Sequence, residues 1–128
     1  MVNGLTKNPP RDESMIVPWL NSLIEEINIK VEEINIKPVM EPIYSYIDKD
    51  GVRGLTSTAI VETGYIALRT WEKEDDISSI HLDMLLSSPI PTFLVLYSIE
   101  EFFGMYDGVY MLLDRKDDFE TLEYRSYP

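Results

Sequence analysis

Apolar residues recur at helical spacing at Met15, Ile16, Trp19, Leu20, Leu23, Ile24 and Ile27. Such a stripe is broad enough to cover a sheet. Asp12 or Ser14 can cap this helix, and Asp12 and Glu13 sit near its positive end. Asn8-Pro9-Pro10 separates it from a short first strand at Val2–Thr6. A second stripe, Val95, Leu96, Ile99, Phe102 and Phe103, predicts a helix that Ser87, Ser88 and Pro89 open and Gly104 stops. Between the helices the pattern is strand-like. Val39–Ile47 is rich in Tyr and Ile, and Asp48-Lys49-Asp50-Gly51 reads as a hairpin turn. Strands at Val52–Glu62 and Tyr65–Trp71 flank a tight corner, Thr63-Gly64-Tyr65. Glu72–Asp76 is a charged loop and Ser79–Leu86 a further strand. After the second helix come a strand at Val109–Leu113, a turn at Arg115–Asp118 and a closing strand at Phe119–Arg125.

The resulting order is β-α-β-β-β-β-α-β with one extra strand. Hairpins join most strands, so the sheet is expected to be mostly antiparallel with both helices on one face. This is an α+β, two-layer sandwich. No internal linker divides residues 1–128, so a single domain is expected.

One stretch departs from simple patterning. Glu25–Val31 reads EEINIKV and Glu32–Pro38 reads EEINIKP, a seven-residue duplication. Seven residues are close to two helical turns, so the stripe stays in phase through Val31 and Ile34. That favours a longer first helix, stopped at Pro38. The rival reading makes Ile27–Val31 an alternating strand.

Charge narrows the function classes. The chain carries 11 basic and 23 acidic side chains, a net charge of −12. Such a chain is a poor partner for phosphate backbones or anionic membranes, so neither nucleic acid nor membrane is expected. A cationic ligand would be attracted, although acidity alone also serves solubility. With no cysteine, thiolate catalysis, disulfides and cysteine metal sites are excluded. No apolar run approaches the roughly 18 residues of a membrane span, and the first residues lack a signal-peptide layout. A cytoplasmic location is the expectation.

Several segments in a fixed order resemble the prokaryotic S-adenosylmethionine decarboxylase family. Gly51-Val52 and Gly54 match its GV(S/T)G strand, with Arg53 at the variable position. Thr70-Trp71-Glu72 resembles its Thr-Trp-Pro-Glu without the proline, and Leu82-Asp83-Met84 its Ile-Asp-Leu strand. The resemblance implies that family's sandwich fold over about residues 12 to 114. Members cleave their own backbone at a serine, generating a pyruvoyl group that forms a Schiff base with the substrate amine.

Here the frame is kept and the reactive groups are not. The cleaved serine falls on Gly64, the next histidine on Tyr65, the catalytic histidine on Arg69, and the proton-donating cysteine near Ser87. Glycine has no side-chain oxygen to attack or leave, and a guanidinium is no base near neutrality. The pyruvoyl cofactor is therefore not expected. A fallback remains: Thr63 could attack the Glu62 carbonyl, giving a 2-oxobutanoyl group.

The remaining candidates are few. Tyr44 and Tyr46 lie near the position where the family stacks an aromatic on adenine, and also read as half-buried strand residues. Glu62, Tyr65 and Arg69 join them as candidate ligand contacts. His81, the only histidine, alternates with Asp83 and reads first as a structural residue. Glu72, Glu74, Asp75 and Asp76 lack the ligand spacing of a calcium loop, so no metal site is expected. The expectation is a divergent, unprocessed homologue that binds S-adenosylmethionine or a polyamine and forms a homodimer or pairs with a paralogue. The alternatives are an enzyme of different chemistry drawing on Arg69, Glu62, Tyr65, His81 and Asp83, a decarboxylase cleaved at Glu62-Thr63, and an interaction protein with no ligand.

Overall fold

The structure is a computed structural model that describes residues 1–31, 35–73, 76–86, 90–114 and 120–127, the side chains of 111–114 and 120–127 excepted. Nine elements follow one another: β1 Val2–Thr6, α1 Glu13–Lys30, β2 Ile43–Lys49, β3 Val52–Val61, β4 Gly64–Glu72, β5 Ser78–Leu85, α2 Thr92–Phe103, β6 Tyr106–Asp114 and β7 Glu120–Tyr127. The strands form one sheet in the order β2-β3-β4-β5-β1-β6-β7, and every neighbouring pair is antiparallel. Hairpins make β2 to β5 and β6 to β7. The first strand is inserted between β5 and β6, so the chain must cross over the sheet twice. Both crossings are helices: α1 carries the chain from β1 to the far edge at β2, and α2 carries it from β5 past β1 to β6.

Strand alternation assigns the two sheet faces. Leu55, Ser57, Ala59 and Val61 of β3, Ile66, Leu68 and Thr70 of β4, and Ile80 and Leu82 of β5 are buried. They meet Ile16, Trp19, Leu20, Leu23 and Ile27 of α1 and Leu94, Val95, Ile99 and Phe103 of α2 in one core. The helices touch through Trp19, whose indole N–H donates to the Ser98 hydroxyl at 3.0 Å and whose ring lies 5.1 Å from that of Phe103. Thr6 donates its hydroxyl to the Phe103 carbonyl, fixing the exit of α2 to the end of β1. Among the described residues the opposite face of the sheet carries no helix.

Local signals account for most element ends. Asp12 is the N-cap of α1; its carbonyl accepts from the amides of Met15 and Ile16, and its carboxylate takes the Ser14 hydroxyl. Gly104 ends α2 in the left-handed conformation at φ 61°, as its place after the stripe predicts. The β2–β3 turn is Asp50-Gly51, both at positive φ (54° and 80°), the two-residue form that suits strand twist.

Some expectations need correction. The first helix stops at Lys30, and Val31 is already extended at φ −116°, ψ 95°. Residues 32–34 lie outside the described residues; 35–37 are not helical, and Pro38 bridges to Val61 of β3 instead of ending a helix. The reason lies in the first copy of the repeat. The Asn28 side chain donates to the Ile36 carbonyl at 2.9 Å and accepts from the Ile36 amide at 2.6 Å. It turns the chain back so that Ile36 enters the core. The edge strand begins at Ile43 and not Val39, because Val39 instead donates to the Ile60 carbonyl beyond the end of β2. The second helix begins at Thr92, and Ser87, Ser88 and Pro89, expected to open it, lie outside the described residues. Among the described residues no helix is long and apolar enough to cross a membrane.

Candidate functional site

The corner between β3 and β4 is a two-residue turn. Val61 pairs with Gly64, leaving Glu62 and Thr63 exposed at its tip. On the far side of β4 the next strand comes very close. A Cβ on Gly64 would stand 1.7 Å from the Leu85 carbonyl oxygen and 2.7 Å from its carbon. Both are backbone atoms of a paired strand and cannot rotate away, so the absence of a side chain here is a condition of the β4–β5 register. The amide of Glu62 donates to the Lys37 carbonyl at 3.0 Å, so the strand end at the corner is also tied to the chain returning from α1.

Past the corner, β4 sends Tyr65, Ala67, Arg69 and Trp71 to the open face. Registration brings Arg69 opposite His81 of β5 on one side and Thr56 of β3 on the other. His81 is opposite Asn3 of β1, and its Nδ1 is hydrogen-bonded to the Asn3 side-chain oxygen. This contact ties the imidazole of β5 to the side-chain amide of β1. Tyr65 donates its hydroxyl to the Asp83 carboxylate at 2.9 Å. Four side chains with chemistry thus share the centre of one face: Tyr65, Arg69, His81 and Asp83. Burial pushes the His81 imidazole below its ordinary value of 6.5; Asp83 opposes the shift, and the amino terminus and Arg69 add to it. The ring is therefore held neutral near neutral pH.

Arg69 differs from the other arginines whose side chains are described. Arg11 faces Glu72 at 3.4 Å, and Arg53 faces both Asp48 at 3.2 Å and Glu72 at 3.7 Å. Among the described residues Arg69 enters no such salt bridge. It is exposed, opposite His81 in the ladder and one diagonal step from Asp83. The arrangement can take an anionic group at Arg69 and a cationic one at Asp83, with Trp71, 43% exposed, as an adjacent flat surface.

The structure does not gather all the residues expected to touch a ligand. Tyr65 and Arg69 share the open face, and Glu62 lies at the corner that leads into it. Tyr44 and Tyr46 stand opposite Ser57 and Leu55, on the helix-bearing face. Tyr44 donates to the Glu13 carboxylate of α1 at 2.9 Å, and that bond and charge raise its hydroxyl above the ordinary 10.0. The i, i+2 spacing put the two tyrosines on one side but could not say which. Ser87 lies outside the described residues, as do Glu74 and Asp75 of the charged loop. Glu72 is occupied by two arginines, and no group of three metal-ligating side chains occurs among the described residues.

Asn3 is a contributor that pattern reading passed over. Its signal was present: a polar residue after Val2 in an alternating strand faces away from the core. A groove of about 450 Å3, lined by Glu26, Lys30, Phe93, Leu94, Leu96 and Tyr97, belongs to the helical layer and is remote from these groups. Compared with family models, with curated proteins and with solved structures, the chain has no significant match.

Proposed function

We propose that this chain is an uncleaved, non-catalytic relative of the S-adenosylmethionine decarboxylases that binds S-adenosylmethionine or a polyamine-like cation on the open face of its sheet. It does so as a homodimer or beside a related chain. The observation that carries the reading is the corner at Gly64. Self-cleavage needs a hydroxyl on the Cβ of that residue, and a Cβ there would sit 1.7 Å from the Leu85 carbonyl oxygen. The chain thus not only lacks the serine; its strand spacing is adapted to having none. No pyruvoyl group is formed on this reading.

The open face supports binding in place of chemistry. Asp83 offers a carboxylate to an amine, and Arg69 offers a planar fork to a carboxylate. Tyr65 holds Asp83 in place and Glu62 stands at the entrance. Tyr44 and Tyr46 drop out of the binding set, since they point to the other side of the sheet.

Intact-mass analysis with calorimetric titration tests this. The expected result is one full-length species, with saturable heat on adding S-adenosylmethionine or spermidine that Arg69→Ala or Asp83→Asn removes. Two fragments bearing a keto-acyl terminus would overturn it, and a break between Glu62 and Thr63 would identify threonine as the nucleophile. Absence of heat with both ligands at millimolar concentration would remove the binding part.

A further inference from the structure

We infer that β2 is a self-pairing edge, on which a second copy of this chain adds its own β2 antiparallel and extends the sheet across a two-fold axis through Ser45. Exposed edges invite pairing and are usually blunted by charge, proline or a bulge. The five residues Ile43–Ile47 have none of these, Pro42 preceding them and the charges Asp48 and Lys49 lying at the turn end, and the ladder with β3 runs without a register break. All seven residues of β2 are exposed, and Ile43, Tyr44, Tyr46 and Ile47 keep 50, 45, 42 and 53% of their surface.

The occupant is specified by the strand itself. Ile43-Tyr44-Ser45-Tyr46-Ile47 reads the same in both directions. In an antiparallel pair centred on Ser45, Ile43 meets Ile47 of the second copy and Tyr44 meets its Tyr46. The isoleucines then stack on the open face and the tyrosines on the helix face, pairings that favour a sheet. At the ends, Lys49 closes β2 of one copy where the chain of the other enters its strand from Glu41-Pro42, so the two charges approach each other twice. The hydrogen bonding fits too. The Ile43 carbonyl accepts from the Ser57 hydroxyl on β3 at 2.9 Å, so by alternation the backbone groups of Tyr44 and Tyr46 face the free edge. Each Tyr44–Tyr46 pair can then exchange two backbone bonds, and Ser45 meets Ser45 at the closely spaced, unbonded position.

This deepens the self-pairing proposed above but uses no ligand, so a dimer without binding and binding without a dimer are separable results. Sedimentation equilibrium of the full chain should give a particle of twice 14.8 kDa. The absence of cysteine permits a direct probe of the axis: Ser45→Cys should become a covalent dimer under diamide, since close antiparallel pairs fall within disulfide reach. Ser79→Cys, in the middle of the open face, should not. Tyr46→Pro removes an outward N–H without touching the ladder to β3 and should weaken the dimer about tenfold or more. Lys49→Glu should weaken it, and adding Glu41→Lys should restore it. A monomer at all concentrations overturns the proposal. So does a dimer in which Ser79→Cys cross-links and Ser45→Cys does not. Should Tyr46→Pro lose its circular-dichroism signature, the two cysteine variants decide alone.

Discussion

Replacing Gly64 by serine would supply the hydroxyl that backbone cleavage needs on the proposed reading, and the geometry sets what it would cost. The new Cβ would lie 1.7 Å from the Leu85 oxygen, whereas relaxed carbon–oxygen contacts stand at roughly 3.3 Å. The end of β4 must move off β5 by about 1.5 Å, a shift that forfeits the terminal pairs Val61–Gly64 and Tyr65–Leu85. Each lost backbone bond costs about 1 kcal/mol, and crowding adds about 1–3 kcal/mol. With one bond lost at each pair, Gly64→Ser should therefore lose about 3–5 kcal/mol, read as a fall of about 1.5–2.5 M in the urea midpoint. Its intact mass should remain that of one chain. A variant as stable as the parent would refute the steric reasoning. A variant that splits at residue 64 would show that the scaffold lacked nothing but the hydroxyl.

Three further outcomes follow from particular contacts. His81 has a folded value lowered from 6.5 by burial, so its contribution is complete above 6.5. As pH falls through that value the unfolded chain takes up the proton first and stability declines. Urea midpoints at about pH 7.5 and about pH 5.5 should fall less for His81→Gln than for the parent, and an equal fall would exclude the mechanism. Asn28→Ala removes both bonds to the Ile36 backbone and should cost about 2–3 kcal/mol, with faster hydrogen exchange at the Ile36 amide. Trp19→Phe keeps a ring against Phe103 but loses the bond to the Ser98 hydroxyl; thermal unfolding should show a loss of about 1–2 kcal/mol.

The layered α+β plan was legible because its two helical stripes and its hairpin turns are local signals. Gly104 and Asp50-Gly51 marked their ends from conformation alone. What escaped was decided by distant partners. The repeat is in phase with α1, yet the Asn28 side chain, bonding eight residues ahead, holds the chain turned back past the helix end. Tyr44 and Tyr46 alternate correctly, but strand periodicity fixes parity and not direction; the helix-facing side became known once Tyr44 met Glu13. The resemblance set Gly64 where its family carries a serine. That its hydrogen faces a carbonyl of β5 needed the register of a strand some twenty residues on. The grouping of Asn3 with His81 required the insertion of β1 beside β5, a long-range event that no window of sequence encodes.

The hexapeptide EEINIK occurs twice in succession, wound into α1 the first time and ending in the non-helical stretch Asn35–Lys37 the second. Identical letters have been given separate duties by their distance from the core. Growth at this junction lengthens only the crossing between a helix and an outer strand, where doubling a loop costs about 0.6 kcal/mol. It is the place where this architecture can change length and leave every strand neighbour as it was.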